Sequence, residues 1–592
     1  MAKKAPVAAG GLVPDNPDIP RPRLSKLTIK NFRCIGSQPV EIELDDIVIL
    51  VGPNNVGKSS ILRAYEVVMS HGSKEGNLDL NDFPNGCVKP EALPEIELHT
   101  VVYDNTPGER WITENEKNEK VVREKWSWAA PGAPKRQGFD VQKNDWDEQV
   151  PWGAPNVANT RRPQPHRVDA FANPQTQATE IVNILQSILQ DRLKGIKADA
   201  KKVVEGEEKS EYTILLEKIG ELQKNIVAES KAEIEKIEEE VSKQIAEVFP
   251  GYIINFDARP EDDLEKCINL FKVDPQLTMG HKEGFQSTID RQGSGARRTL
   301  LWSALRIVSE NKKDVGTRPH VLLLDEPELC LHPSAIREAC RVLYDLPKTG
   351  NWQVMVTTHS PAFIDVSRDN TTIIRVELSE DGVIQGTTVF RPERVKLDDD
   401  DRTRLKLLNL CDPYVSEFFF GGRSIIVEGD TEFTAFKYVI NSHPEEFKDI
   451  HVIRARGKAT IVSLVKILNH FGSGYSVLHD SDTPMVTTKR TKKVMKNPAW
   501  STNNNILFAV NSHPEGVKVR LLASLPNFEG AFFGEEVEDE KPYNALIKLS
   551  ENGGAFQKIV DLLRALVNHE LAPPEGCLEW NEIKQLEEAV KD

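Results

Sequence analysis

Eight residues limit what this chain can fold into more than any other feature. Gly52-Pro-Asn-Asn-Val-Gly57-Lys58-Ser59 fits the pattern G-x-x-x-x-G-K-[ST]. It follows the apolar run Ile47 to Val51, which reads as a buried strand, and precedes a helix beginning near Ser60. A glycine-rich turn between strand and helix presents backbone N–H groups and a helix N-terminus to phosphate oxygens. Asn54, Asn55, Gly57 and Ser60 belong to that cradle, Lys58 reaches the β and γ oxygens, and Ser59 ligates Mg²⁺. The expectation is an α/β fold with ATP and Mg²⁺ at one sheet edge.

Two further apolar runs add to that edge. Val321 to Leu324 ends in Asp325-Glu326-Pro327-Glu328, which places carboxylates at the C-terminal end of a buried strand, where ligands bind in such sheets. Asp325 suits the metal, and Glu326 suits a base that orients water. Gln353 to Val356 ends in Thr357-Thr358-His359, where the imidazole can contact a γ-phosphate. Between them, Gln292-Gly-Ser294-Gly-Ala-Arg-Arg298 is a small-residue turn opening a helix and can offer N–H groups to an anion. Each of these has a bland structural reading when taken alone. Beside the phosphate loop, the functional reading dominates.

At 592 residues the chain exceeds what one hydrophobic core organises. Its 39% hydrophobic and 28% charged residues are the balance of a soluble globular protein. No apolar run approaches the roughly 18 residues that span a bilayer, and Met1 to Val13 lack the h-region of a signal peptide, so a cytoplasmic location is expected. The seven scattered cysteines form no CxxC pair and suggest neither disulfides nor a zinc site. A net charge of −16 argues against a surface coated with nucleic acid, yet leaves room for one local basic groove.

Composition divides the chain. Residues 1–23 read as a flexible arm and 24–176 as the first part of an ATPase head. Residues 100–165 within it are rich in Trp and Pro without a clear period, and no role follows from them. Residues 177–250 carry spaced apolar positions such as Ile219, Leu222, Ile226, Ile237 and Val241, the mark of long amphipathic helices, and read as an inserted helical hairpin. The head resumes over 251–396. In the linker helix region 397–420, Asp398 to Asp401 read as a solvated turn before the helix. The last unit, 421–592, is a second α/β domain.

That domain has its own acidic pattern. Ile425 to Val427 reads as a strand ending at Glu428-Gly-Asp-Thr-Glu432, and Tyr475 to Leu478 as another ending at Asp480-Ser-Asp482. Strand ends of a parallel sheet can converge, and Glu428, Glu432, Asp480 and Asp482 then form a hard-oxygen site for paired divalent ions, as phosphodiester hydrolysis uses. The basic run Lys489, Arg490, Lys492, Lys493 and Lys496 begins seven residues after Asp482 and suits phosphate contacts.

The order of phosphate loop, small-residue turn, Asp-Glu strand and histidine resembles ABC ATPases. Leu27-Thr-Ile-Lys-Asn-Phe-Arg33 and the stretch Asp325 to Pro333 look like the RecF, SMC and OLD (overcoming lysogenization defect) branch. E-G-x-T-E followed by D-x-D resembles the Toprim domain, with Gly457-Lys458 in the place of its mid-domain glycine. ABC head followed by Toprim is the arrangement of OLD endonucleases. That resemblance implies two heads closing around nucleotide with Ser294 acting in trans, so a homodimer or higher oligomer through the heads and the helical insertion. It also implies ATP with Mg²⁺ or Mn²⁺, DNA as substrate, and prokaryotic defence against phage, alone or with a helicase-like protein or a retron reverse transcriptase with its DNA. By the same resemblance Glu529 is a metal or water ligand and Lys541 neutralises charge on the scissile phosphate. The Q-loop glutamine of ABC heads has no convincing counterpart. A different class, a DNA-clamping ATPase whose Toprim domain binds without cutting, predicts binding without cleavage. A topoisomerase or primase shares Toprim chemistry, but a topoisomerase needs a nucleophilic tyrosine domain and the ABC head is foreign to both.

Overall fold

In the computed structural model, residues 22–185, 234–257, 276–310, 320–487 and 493–591 are described, apart from short gaps within them. The three apolar runs form strands β1 (Ile47–Val51), β2 (His320–Asp325) and β3 (Trp352–Thr357), in which every residue is buried. Continuous apolarity belongs to strands covered on both faces. Helix α1 (Lys58–Met69) follows the loop after β1, and α2 (Ser294–Glu310) opens on the small-residue turn.

By their internal contacts the residues form two compact units, 1–47 with 59–357 and 48–58 with 358–592. In the first, β2 lies between β3 and the strand Gln164–Val168, all parallel. A separate antiparallel sheet runs Val40–Glu43, Arg23–Lys30, Glu95–Val101, Lys120–Ser127, Lys135–Asp140, Asp145–Asp147 in spatial order. The Trp-rich stretch thus supplies several strands of this sheet, and Trp126 and Trp128 are buried. Glu124 points inward beside them, bonded by Arg136 Nε at 2.7 Å and by Arg162 Nη2 at 2.6 and 2.7 Å. Of the expected helical hairpin, residues 174–179 and 234–246 are helical, and most of the rest lies outside the described residues.

In the second unit, helix α3 (Asp399–Cys411) is followed by β4 (Arg423–Val427), α4 (Asp430–Ser442), β5 (Ile450–Arg454), α5 (Lys458–Phe471) and β6 (Tyr475–Asp480). A short ribbon, β7 (Met485–Thr487) and β8 (Val494–Lys496), precedes α6 (Pro498–Asn511). Then come β9 (Val519–Ser524), α7 (Phe528–Phe533), α8 (Lys541–Glu551), α9 (Gly553–Val567) and β10 (Cys577–Glu579). The sheet order is β5-β4-β6-β9-β10. Its first four strands are parallel and β10 is antiparallel. Parallel order brings the ends of β4, β6 and β9 to one edge, which is where the acidic residues stand. The C-terminal residues supply Ile559, Val560, Leu562, Leu563 and Leu566 to the same core as Phe436 and Leu478.

One expectation is corrected. Asp401 is not a solvated turn residue: it is 5% exposed in the first turn of α3, accepts from Ser463 Oγ at 2.6 Å, and is paired with Lys466. Carboxylates in a first helical turn meet the positive end of the helix dipole, and here one also staples α3 to α5.

Candidate functional site

The phosphate loop is shaped by positions that few residues tolerate. Gly52 has φ +135°, and a Cβ there would lie 2.0 Å from the Val376 carbonyl oxygen, so only glycine fits. Asn54 and Asn55 are exposed and Lys58 is buried. The Lys58 ammonium donates to the carbonyls of Gly52 at 3.0 Å and Pro53 at 2.6 Å, bending across the loop. Ser60 is buried, its hydroxyl 3.4 Å from Cys34 Sγ. Its side chain therefore faces inward, and only its N–H is left for the cradle.

Ser59 Oγ donates to Asp325 Oδ1 at 3.0 Å, and Thr357 Oγ1 donates to the same oxygen at 2.6 Å. The hydroxyl and the carboxylate expected to share Mg²⁺ are therefore already in contact. Glu326 adopts φ 44°, with its N–H donating to Thr357 O at 3.0 Å and Oγ1 at 3.1 Å. Arg298 Nη1 reaches the Glu326 carbonyl at 3.3 Å. Ser294 is half-buried at the start of α2, and a Cβ on Gly295 would meet the Cys330 carbonyl at 2.8 Å. His359 is exposed, just after Thr358, whose N–H donates to Leu50 O at 3.2 Å. Within the second unit, the exposed loop amides and a lysine suit a nucleotide's phosphates; within the first, the serine–aspartate oxygen pair suits a hard cation.

At the Toprim edge, Glu428 Oε2 accepts the Asp480 N–H at 3.1 Å, so the ends of β4 and β6 meet. Asp480 Oδ1 accepts the Phe528 N–H at 2.8 Å, which brings in the turn after β9. Glu529 is 5% exposed and accepts from Thr431 Oγ1 at 3.0 Å, with Lys541 Nζ 3.3 Å away. Glu432 is 4% exposed. Burial, reinforced by the charges of Glu428 and Glu529, pushes the Glu432 carboxyl up to about 7. Asp480 is raised well above the usual carboxylate range by burial and then by Glu432, Glu428 and Glu529, and Glu428 is raised mainly by burial. Asp482 is paired with the buried ammonium of Lys458, and both charges act on Glu428, Lys458 lowering it and Asp482 raising it.

The structure thus groups Glu428, Glu432, Asp480 and Glu529, and gives Asp482 its own cation. Burial and neighbouring carboxylates raise Glu432 and Asp480, an environment that a divalent cation relieves, and the all-oxygen donors of the group suit Mg²⁺ or Mn²⁺. As placed, no three His, Cys, Asp or Glu side chains among the described residues stand in metal-holding geometry. The carboxylates are turned to protein donors, which an ion would replace at Asp480 and Glu529. Of the basic run, Lys493 and Lys496 are exposed, and Lys489, Arg490 and Lys492 lie outside the described residues.

The AAA ATPase domain family matches residues 23–147 and 161–364, which is more than half of the chain. Residues 419–482 match the overcoming lysogenization defect protein-like TOPRIM domain. The chain belongs to the OLD family. The OLD nuclease of Thermus scotoductus is 25% identical over 537 residues, covering 88% of this chain and 93% of that protein. The Old nuclease of Escherichia phage P2 is 24% identical, covering 78% of this chain and 77% of its own. The endonuclease GajA of Bacillus cereus is 22% identical, covering 80% of this chain and 76% of its own. This OLD protein therefore joins an ATPase to a metal-dependent Toprim nuclease. Among the described residues, no helix is long and apolar enough to cross a membrane.

Several residues near these sites were not picked out from sequence. Thr357 and Arg298 are defined by their bonds to Asp325 and Glu326. Thr431 lies inside the acidic pattern and orients Glu529. His479 is buried, donates from Nδ1 to the Asp480 carbonyl at 2.7 Å, and accepts from Trp580 Nε1 at 3.2 Å, fixing the end of β6 from the C-terminal segment. No local sequence signal links residues about a hundred positions apart.

Proposed function

We propose that this OLD protein is an ATP-regulated, Mg²⁺- or Mn²⁺-dependent endonuclease acting on DNA, and that its setting is prokaryotic defence against phage. In the head, Lys58 and the amides of Asn54, Asn55, Gly57 and Ser60 hold the phosphates. Ser59 and Asp325 hold the head's cation, Glu326 orients water, and His359 senses the γ-phosphate. Ser294 of a second copy completes the nucleotide site, which makes the working unit a homodimer or larger assembly.

In the Toprim domain, Glu428, Glu432, Asp480, Asp482 and Glu529 are the ligand set. A bound divalent cation supplies charge neutralisation of the phosphodiester and a nucleophilic water at neutral pH. Glu428 and Asp480 stand together where they can hold and orient that water. Lys541, beside Glu529, neutralises charge developing on the phosphate, and Lys458 fixes Asp482. The basic run Lys489, Arg490, Lys492, Lys493 and Lys496 contacts the DNA backbone. A defence partner, helicase-like or a retron reverse transcriptase with its DNA, belongs to the same setting.

The observation that carries this reading is the meeting of half-buried Glu428 and Asp480, from separate strand ends, with buried Glu432 and Glu529. Supercoiled and linear DNA incubated with Mn²⁺, with ATP, with ADP or without nucleotide should be cut at rates that depend on the nucleotide, and Asp480→Ala should abolish cutting. Removing carboxylate support from a metal centre removes several kcal/mol of transition-state stabilisation, about a thousandfold in rate. Tight DNA binding without cleavage would instead favour the clamping ATPase.

A further inference from the structure

Just beyond the acidic edge, the ribbon β7–β8 stands out from the rest of the second unit. Met485 lies opposite Lys496, Val486 opposite Met495, and Thr487 opposite Val494. All six side chains are exposed, and the four apolar ones to 49% (Met485), 38% (Val486), 65% (Val494) and 45% (Met495). Opposed pairs share a face, so apolar side chains occupy both sides of the ribbon. Two strands alone are marginally stable in water, and contiguous exposed apolar surface marks a binding element.

The base of the ribbon is fixed to the acidic edge. Asn497 N–H donates to Pro484 O at 2.9 Å, and Thr483 Oγ1 donates to Met485 O at 2.9 Å. Asn503 of α6 donates from Nδ2 to the Ser481 carbonyl, also at 2.9 Å. Met485 is three residues past Asp482, at most about 10 Å along the chain. A molecule lying against Met485 is therefore within about 10 Å of the backbone at Asp482.

Charge identifies the occupant. From Thr483 to Pro514 the sequence has no Asp or Glu, although the chain holds 91 of them, and it carries five cations, Lys493 and Lys496 among the described residues. A two-stranded ribbon fits the roughly 12 Å major groove of B-DNA, and apolar side chains can pack on base and sugar edges there. Resting on the nuclease reading above, we propose that β7–β8 enters a groove of duplex DNA. Val486 and Met495 pack inside it and Lys493 and Lys496 meet the flanking phosphates, which sets a phosphodiester over the acidic edge. An acid-free ribbon framed by lysines is the complement of a polyanion.

The test uses the full chain and a labelled duplex of about 30 base pairs, without divalent cation, over a salt series. The double variant Val486→Ser/Met495→Ser should weaken binding about tenfold at an unchanged salt slope. The variant Lys493→Gln/Lys496→Gln should lower that slope by about 2. Both should keep the wild-type oligomeric mass. Unchanged affinity and slope in both variants would overturn the proposal. So would a lower oligomeric mass in the serine variant, which would make the ribbon a contact between copies. Duplex binding that depends on the ribbon, in a protein that never cuts DNA with Mn²⁺, would uphold this proposal and overturn the nuclease reading alone.

Discussion

Glu124 and Glu432 are both buried carboxylates, and the chain holds them in opposite ways. Glu124, in the antiparallel sheet of the first unit, is surrounded by Arg136 and Arg162, which hold it below its usual range despite the opposing cost of burial. Glu432, at the edge of the Toprim sheet, is surrounded by other carboxylates and is pushed up to about 7 by burial and their charge. A buried charge given its own partners is a staple. Buried charges set against one another, with a lysine reserved for Asp482, make a place for a cation supplied from outside.

The contrast predicts opposite signs for the same chemical change. Glu124→Gln leaves two buried guanidinium groups without their shared anion and should lower the stability of the first unit by about 3–5 kcal/mol, read as a fall in its melting transition. Glu432→Gln removes a repelled charge. Measured without divalent cation above pH 7, it should raise the stability of the second unit by up to about 3 kcal/mol, since one unit of pKa shift corresponds to about 1.4 kcal/mol. Equal destabilisation by both variants would erase the distinction.

A smaller effect comes from His71, packed edge-on against Trp126 and pushed down to about 4 by burial and by Arg162 and Arg136. The unfolded chain takes up a proton near pH 6.5 and the folded chain only near 4. Stability from this group is therefore full above about 6.5 and is lost as pH falls toward 4. Melting temperature should drop over that window in the wild type, and less steeply in His71→Gln.

These two regions also differ in how far sequence reveals them. The phosphate loop was legible because its donors are consecutive and one turn suffices to aim them. Glu428 and Asp480 were legible because each ends an apolar strand, and parallel pairing carries strand ends to one edge. The regrouping of Glu529 with them and of Asp482 with Lys458 was not, because it depends on which way side chains turn at that edge. In Lys120–Ser127 the alternation is real, but Glu124 occupies an inward position beside Val122 and Trp126 and so broke the expected pattern. Its partner Arg162 lies 38 residues away, beyond any local signal.

Calorimetric titration of Mn²⁺ into nucleotide-free protein measures whether the Toprim carboxylates take up a divalent cation. Saturable binding should be present in the wild type, unchanged in Glu124→Gln, and lost from the Toprim site in the double variant Glu432→Gln/Asp480→Asn. Binding of equal affinity and stoichiometry in the double variant and the wild type would contradict the account.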